Sequence, residues 1–255
     1  EMLRSLVGSE MCIRDRADSG FGLVEMMLAL ALSLVLVLGV AQVFIAAKNT
    51  YQSQSAAAYL QEDARFVLSK MLQEIRMVGL FGCLRTISDA STAREFSHYA
   101  ATPIQWDNAE QKLTLITADV GDDGGTPTWS VVSDCQRSAV AYSGAHRGAG
   151  AEQVFALRRL FYSLKNRQLL LGSGLGKQQA VLLDNVEAFD VSFGMARSAT
   201  DIAASSYSRN PLDPERIRSV RLRLTLVDPH DRVRPQTYSA VSYTHLRAHE
   251  TPEHL

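Results

Sequence analysis

The chain has 255 residues, of which 46% are hydrophobic and 21% charged, and its formal net charge at pH 7 is -1. This length and composition fit one ordinary globular domain with an additional apolar segment. The near-neutral charge gives no support for a protein that binds nucleic acid over its whole surface.

The two ends of the sequence differ in character from the rest. Residues 1–16 do not begin with Met and have no basic region followed by an apolar region, so they do not resemble a Sec signal peptide. This segment and residues 242–255 resemble translated adapter sequence at the ends of open reading frames. We therefore treat both as foreign and interpret residues 1–20 as a residual leader.

The longest apolar run lies at residues 26–47. Its 22 residues include Ser33 and Gln42 as the only polar side chains and contain no Pro. A helix of this length rises about 33 Å, which is enough to cross the hydrocarbon core of a bilayer. We predict a transmembrane helix over about residues 23–47. Basic residues before it favour a cytoplasmic N terminus and an exported C-terminal body.

A carboxylate stands at the start of this apolar run. In the sequence GFGLVE, Glu25 follows Phe21 by four residues and Gly20 by five. An ionisable group that enters a membrane costs about 3 kcal/mol or more unless it finds a partner, so Glu25 is a candidate functional residue. The alternative is that Glu25 lies at the level of the lipid headgroups and is simply solvated.

The combination of Gly20, Phe21, the spacing to Glu25 and the long apolar run resembles the processing site of type IV prepilins. This resemblance implies that a prepilin peptidase cuts between Gly20 and Phe21 and that Phe21, the new N terminus, is methylated. It also implies that Glu25 neutralises the N-terminal amine of a neighbouring subunit in a filament. Such a pairing would offset the burial of both charges.

The helical pattern continues beyond the apolar run. No Pro or Gly occurs from residue 40 to residue 78, and we predict one helix over residues 21–78, ended by Gly79 and Gly82. Apolar residues at steps of three and four form one stripe: Leu60, Ala64, Val67, Met71, Ile75 and Val78. Polar residues lie on the other faces: Gln61, Glu62, Arg65, Lys70, Gln73 and Glu74. We expect the stripe to pack on the chain's own sheet, with a coiled-coil partner as the alternative.

After Gly82 the apolar period changes from that of a helix to that of a strand. Apolar and polar residues alternate in residues 189–193 and 218–227. Further strands are predicted at residues 113–117, 154–164, 168–171 and 236–241, with a hairpin at 165–167. Loops rich in Gly, Pro, Ser or Asp are predicted at residues 119–128, 143–150, 196–214 and 228–235.

These patterns predict an α+β fold. Its long N-terminal transmembrane α-helix, at residues 21–79, packs at its C-terminal half on an antiparallel β-sheet. Half-polar strands favour such a sheet, with one solvated face and one packed face. The predicted β-rich globular domain covers residues 80–241 and, on this topology, lies in the periplasm.

Of the three cysteines, Cys12 lies in the segment treated as foreign, which leaves Cys83 and Cys135. In an exported domain, two cysteines favour a disulfide over free thiols. The bridge would close about 53 residues and restrict the unfolded chain by roughly 4 kcal/mol. Two buried free thiols are the alternative, and neither cysteine has a Cys or His neighbour at the spacing of a zinc site.

Other candidate motifs fail their templates. The sequence GSGLGK at residues 172–177 lacks the first Gly and the final Ser or Thr of a phosphate-binding loop, so it predicts a turn. Asp119, Asp122 and Asp123 lack the spacing and the terminal Glu of an EF-hand, which favours solvated turn residues over a calcium site. Neither a G-x-S-x-G element nor a zinc-protease pattern is present. We therefore expect a protein that is not an enzyme and has no cofactor or metal.

A basic set lies near the C-terminal end, at Arg216, Arg218, Arg221 and Arg223. These side chains could contact DNA or an anionic surface. Alternating Arg on the exposed face of a strand is more often a solvated face, which is the expectation here.

The wider pattern over residues 20–241 resembles the minor pilins of type IV pili and, within them, the PilW-like group. The residues that carry it are QEIRMVG at 73–79, FGC at 81–83, SDC at 133–135 and DNVEAFDVSF at 184–193 before the Arg-rich strand. Gln42 stands where many major pilins have a Pro, which disfavours a major-subunit role. The resemblance implies a non-enzymatic assembly protein of the bacterial inner membrane that enters or primes the pilus tip.

The implied partners are the prepilin peptidase, other major and minor pilins, the inner-membrane assembly platform and membrane lipid, with no small-molecule substrate. One alternative is a pseudopilin of type II secretion, which shares the anchor and the long helix. Another is a periplasmic enzyme or ligand-binding module tethered to the membrane. That reading predicts a pocket with converging polar groups and a dispensable Glu25.

Overall fold

The computed structural model describes residues 20, 22–119, 125–176, 178–198, 200–211 and 213–243. The chain divides into two compact units, Glu1–Tyr51 and Gln52–Leu255. Several predictions fall outside the described residues: those on Cys12, Phe21, Asp122 and Asp123 and those on most of the two ends treated as foreign.

Helix α1 (Leu23–Arg76) contributes residues to both units. It ends close to the predicted boundary, where the amides of Met77 and Val78 donate to carbonyls only three residues back. These bonds tighten the last turn, and Gly79 then takes a φ of 80°, which stops the helix. Val78 has already left the helix and forms a bridge with Thr117.

The second unit contains a short helix and two sheets. Its elements in chain order are β1 (Ser88–Asp89), α2 (Glu95–Ala100), β2 (Ile104–Asp107), β3 (Lys112–Ala118), β4 (Trp129–Ser133), β5 (Ala139–Ser143), β6 (Gln153–Lys165), β7 (Gln168–Ser173), β8 (Gln179–Leu183), β9 (Val186–Met195), β10 (Ser206–Ser208), β11 (Ile217–Leu226) and β12 (Gln236–Tyr243). Five of the predicted strands lie within β3, β6, β7, β9 and β12, and the strand predicted at residues 218–227 corresponds to β11, which ends one residue earlier. The α+β class is confirmed.

The strands form two sheets where one was expected. The larger sheet has the order β1-β5-β4-β6-β3-β2, with β7 paired to β6 and β8 paired to β7. The smaller sheet has the order β10-β9-β11-β12. Neighbouring strands are antiparallel except for β1 and β5, which are parallel.

Tight turns follow the predicted hairpin and glycine signals. Between β6 and β7, Asn166 and Arg167 have φ values of 51° and 60°, as a two-residue hairpin loop of the primed type requires. Gly174, with a φ of 78°, lies in the turn between β7 and β8. The described part of the glycine-rich sequence, residues 172–176, therefore ends β7 and enters the turn to β8, in agreement with the predicted turn.

The apolar stripe of α1 is buried within the second unit. Leu60, Ala64, Val67, Met71 and Ile75 are at most 7% exposed. Their core includes buried residues of both sheets, among them Leu113, Leu115, Tyr162, Phe189, Phe193 and Leu222. The stripe thus packs on the chain's own sheets, as predicted.

A smaller core lies under α2. Phe96 of α2 packs edge-to-face on Phe81, with ring centroids 5.5 Å apart, and on Trp129 of β4 at 6.1 Å. Ile116 of β3 and Leu157 of β6 complete its centre. One face of the larger sheet is therefore covered here by the segment that follows α1.

The basic set is only partly a solvated face. A register shift at the start of β11 breaks the alternation there. Arg218 is 8% exposed and donates to the carbonyl of Asp201 at 2.7 Å, and Arg216 donates to the carbonyl of Ala196 at 2.9 Å. The predicted solvated face is therefore wrong for Arg218. Arg216 and Arg221 are half-buried, and Arg223 is exposed as expected.

Strand β12 forms one edge of the smaller sheet. Among the described strands it pairs with β11 alone, over eight residue pairs. Its sequence, QTYSAVSY, contains no charged residue and no Pro. The other hydrogen-bonding edge of this strand therefore carries none of the usual features that prevent pairing with another strand.

Candidate prepilin processing and assembly site

The candidate processing site lies immediately before α1. Gly20 and Gly22 precede the helix, which begins at Leu23. The amide of Gly22 donates to Oε2 of Glu25 at 3.0 Å. The carboxylate therefore satisfies one of the amides that lack a partner at a helix N terminus, in the manner of a capping box.

Glu25 is exposed, and its charge lies at the helix end that favours an anion. Within the described ranges it forms no ion pair. The cap engages one carboxylate oxygen with a neutral donor and leaves the negative charge uncompensated. The chain's own described residues thus provide the carboxylate of the predicted assembly pair without its cation.

The apolar part of α1 that follows is exposed along its length. Leu28, Leu36 and Phe44 are 61%, 68% and 68% exposed, and the intervening residues are similar. In the described part of the chain, α1 is the one helix that is long and apolar enough to cross a membrane. The hydroxyl of Ser33 donates to the carbonyl of Leu30 at 2.9 Å, so this polar side chain is satisfied inside the helix.

Glu74 ties the C-terminal end of α1 to the larger sheet, although the sequence places it outside the apolar stripe. Glu74 is 9% exposed, and Lys70 Nζ lies 2.8 Å from its Oε1. The hydroxyl of Tyr162 donates to Oε2, and Thr117 Oγ1 donates to the Glu74 carbonyl at 3.1 Å. Glu74 borders the apolar stripe at i+3 from Met71, a position that spacing alone does not assign to either face.

Tyr162 is fully buried in β6. Burial, together with the nearby Glu74 carboxylate, raises the pKa of Tyr162 well above its usual range. The phenol therefore stays protonated at physiological pH and acts as the donor to Glu74. This contact fixes the helix to the sheet by a charged hydrogen bond inside the core.

The disulfide favoured by the sequence is present between Cys83 and Cys135, with Cα atoms 5.4 Å apart and a sequence separation of 52. It joins the segment after α1 to the turn between β4 and β5. In that turn Cys135 has a φ of 57°, a left-handed conformation that a non-glycine residue rarely adopts. The bond therefore fastens a strained turn to the segment that leaves the helix.

Asp134 organises the same turn. Its Oδ1 accepts hydrogen bonds from the amides of Ser138, Arg137 and Gln136, at 2.9, 2.8 and 2.9 Å. These three bonds lower the pKa of Asp134 to about 2, because they stabilise the ionised carboxylate.

Of the three residues weighed as calcium ligands, the structure describes Asp119 alone. Among the described residues there is no group of three or more His, Cys, Asp or Glu side chains that could hold a metal ion. Asp119 pairs instead with Arg158 at 3.1 Å, whereas Asp122 and Asp123 lie outside the described residues.

An apolar helix behind a capped carboxylate, continued by an α+β unit, defines a class of protein anchored by its N-terminal helix. Residues 15–41 match the family model of the prokaryotic N-terminal methylation motif. The match contains Gly20, Phe21 and Glu25, and it identifies the N-terminal region as that of a type IV pilin-like protein. No curated protein matched the chain. The motif implies processing by a prepilin peptidase and pilin-type partners in general, in a pilus or in the related pseudopilin systems.

Proposed function

We propose that this chain is a minor pilin of a type IV pilus, of the PilW-like group, that enters or primes the tip of the filament. One observation carries the proposal. Glu25 lies at the fifth position after the predicted cut, at the start of an exposed apolar helix, and has no basic partner among the described residues.

The negative charge of Glu25 limits the environments that this residue can occupy. A carboxylate at the edge of a bilayer can remain solvated, but one that moves into a bundle of apolar helices needs a cation. Cleavage before Phe21 creates an N-terminal amine in every processed subunit. The amine of a neighbouring subunit is therefore a cation that becomes available near the membrane level at which Glu25 lies.

The second unit fits an exported position. Disulfides persist in oxidising compartments, and the Cys83–Cys135 bond lies in this unit. We therefore assign residues 23–47 to the bacterial inner membrane and the β-rich unit to the periplasm, before assembly moves the subunit into the pilus.

We further propose that the chain is not an enzyme. Its role is carried by contacts between helices, with the major pilin, other minor pilins, the inner-membrane assembly platform and membrane lipid as partners. This role requires neither a cofactor nor a small-molecule substrate.

Cleavage is tested first. The full chain, with a basic leader placed ahead of Gly20, is expressed with and without a prepilin peptidase, and the mass of its N-terminal peptide is measured. We expect peptidase-dependent cleavage that leaves a methylated Phe21, and no cleavage in a Gly20→Leu variant. An uncut chain, under conditions that process a control prepilin, would contradict the proposal.

Assembly is tested with Glu25→Ala in piliated cells that lack the native copy. We expect normal membrane insertion and cleavage but loss of the protein from sheared pili. Glu62→Ala, which removes an exposed Glu from the second-unit part of α1, is the matched control and should be incorporated normally. Normal incorporation of Glu25→Ala would count decisively against a pilin.

Type II secretion pseudopilins share the anchor and the long helix, so the same two results would be expected of one. Deletion of the pilus assembly platform separates the systems. A minor pilin then remains in the inner membrane with its processed N terminus, whereas a pseudopilin still enters its own complex.

A further inference from the structure

An open cleft of about 800 Å³ lies beside β2 in the second unit. It is lined by residues of β2 and β3, by Arg159 of β6, and by Asn210 and Pro214 of the segment before β11. Its volume is within the range of about 300–1,000 Å³ that is usual for ligand sites. None of these residues belongs to the processing site.

Two of the cations that line this cleft, Lys112 and Arg159, also lie close to one aromatic ring. Lys112 Nζ lies 4.9 Å from the centroid of Phe161, and the guanidinium carbon of Arg159 lies 5.4 Å from it. Neither cation forms an ion pair with any described residue. The cleft therefore presents two cations that form no ion pair with a described residue.

These cations are held in place before any ligand arrives. Phe161 is 3% exposed, and its ring occupies the space above Gly172, where any added Cβ would overlap it. Arg159 also stacks on Tyr99 at 4.9 Å, and its Nη1 donates to the carbonyl of Gly174 at 3.0 Å. Such preorganisation reduces the entropy that binding would cost.

The cleft also offers partners for hydroxyl groups. Asp107, the cross-strand neighbour of Lys112, turns its Oδ1 to the amides of Ala109 and Glu110, at 2.9 and 3.1 Å. Its Oδ2 has no hydrogen-bond partner in the described part of the chain and can accept from a ligand. The exposed side chain of Gln105 also lines the cleft, and its Nε2 donates to the hydroxyl of Thr102, which leaves the amide oxygen available to a ligand.

This combination favours an acidic sugar over a strand of nucleic acid. Single-stranded nucleic acid is held by exposed aromatic faces on which bases stack. The aromatic rings at this cleft offer little face, since Trp106 and Phe161 are 8% and 3% exposed. The carboxylate of Asp107 can accept hydrogen bonds from the several free hydroxyls that each sugar unit of a polysaccharide offers.

We propose that this cleft binds a carboxylated sugar of an acidic polysaccharide. The sugar carboxylate lies against Lys112 and Arg159, and its hydroxyls bond to Asp107 and Gln105. The site does not depend on cleavage or on Glu25, so this proposal can be tested independently of the assembly role.

The test uses the full chain in detergent micelles, titrated calorimetrically with trigalacturonate. We expect saturable binding of one trisaccharide per chain and no heat with neutral maltotriose. Loss of one charge-assisted contact weakens binding about tenfold or more, so Lys112→Gln should show this reduction. Arg223→Gln removes an exposed arginine from β11 and should bind as the parent does.

Arg159 requires a second pair of variants because its side chain also packs on Tyr99. Arg159→Gln should lose affinity at least tenfold, whereas Arg159→Lys, which keeps the charge, should lose less. Thermal unfolding of each variant shows whether the fold is retained. If Arg159→Gln unfolds, the affinity of Lys112→Gln for trigalacturonate still tests the proposal.

Three results would overturn the proposal. The first is an absence of binding to trigalacturonate by the folded parent chain. The second is equal affinity in the parent and in Lys112→Gln. The third is tighter binding of a dodecathymidine strand that depends on Lys112, which would assign the cleft to nucleic acid. In the Glu25→Ala variant, trigalacturonate binding should be unchanged whatever that variant does in pili.

Discussion

The two parts of α1 use apolar residues in opposite ways. From Met26 to Ala47 the helix is apolar on every face, and its side chains are exposed. From Gln52 onward most apolar residues form one buried stripe, although Tyr59 and Phe66 are exposed, and Glu74 adds polar ties to the sheet. A helix that is apolar all round requires a membrane or other helices, whereas a stripe requires only one packed face. The arrangement of apolar residues along α1, more than their number, distinguishes the part that the second unit buries from the part that requires a membrane or other helices.

The largest expected change in the stability of the second unit, which buries the C-terminal part of α1, comes from removing the disulfide. Replacing Cys83 and Cys135 by Ser should lower the free energy of unfolding of the second unit by about 4 kcal/mol, because the unfolded chain regains the freedom of a long loop. Denaturant titration of the full chain in micelles measures it. Membrane insertion should not change, and an unaltered unfolding midpoint would contradict the expectation.

A pair of methionine variants compares the two parts directly. Met71 is fully buried, so Met71→Ala should cost about 3 kcal/mol through lost burial and the cavity it leaves. Met27 is 63% exposed, so Met27→Ala should leave the unfolding free energy of the second unit unchanged. Equal effects of the two substitutions on the unfolding free energy would contradict the difference between the buried and the exposed part of α1.

The polar tie at Glu74 is expected to contribute less. Tyr162→Phe removes the donor to a buried carboxylate and should cost about 1–2 kcal/mol. Tyr59→Phe, at an exposed position of α1, is the control and should cost nothing.

The same tie predicts a dependence on alkaline pH. Because folding raises the pKa of Tyr162, its stabilising effect is full below the ordinary tyrosine pKa of about 10 and falls as the pH rises above it. The parent should therefore lose stability above about pH 10 more steeply than Tyr162→Phe. Parallel pH profiles would refute this account of the tie.

The smallest effect is expected at the turn that the disulfide holds. The pKa of Asp134 is lowered to about 2, so its stabilising effect is full above the ordinary aspartate pKa near 4 and is lost as the pH falls to about 2. The melting temperature should fall less over this interval in Asp134→Ala than in the parent. Arg137→Gln keeps the backbone bond to Asp134 and should follow the parent.

Continuous patterns in the sequence identified much of this architecture. The anchor, the stripe of α1 and the alternation in β11 each extend over enough residues for their period to be clear. The methylation motif was visible because Gly20, Phe21 and Glu25 are close in sequence. The disulfide was predictable because the domain was expected to be exported and has two cysteines outside the segment treated as foreign.

Features that depend on tertiary contacts could not be predicted from the sequence. All five residues of β4 are buried, so the strand shows no alternation. The bulge in β11 placed Arg218 inside, and Tyr162 supplied the partner that allows Glu74 to be buried. The proposed sugar cleft combines residues of β2, β3, β6 and the segment before β11, which are distant in sequence. No local pattern marks them as neighbours.

The uncharged edge of β12 has a practical consequence for anyone who prepares the second unit in quantity. Two such edges from separate molecules can join by main-chain hydrogen bonds, with no Lys or Pro in the strand to prevent it. Self-association should therefore increase with protein concentration. Ser239→Lys, on the exposed face of this strand, is expected to keep concentrated samples clear where the parent becomes turbid.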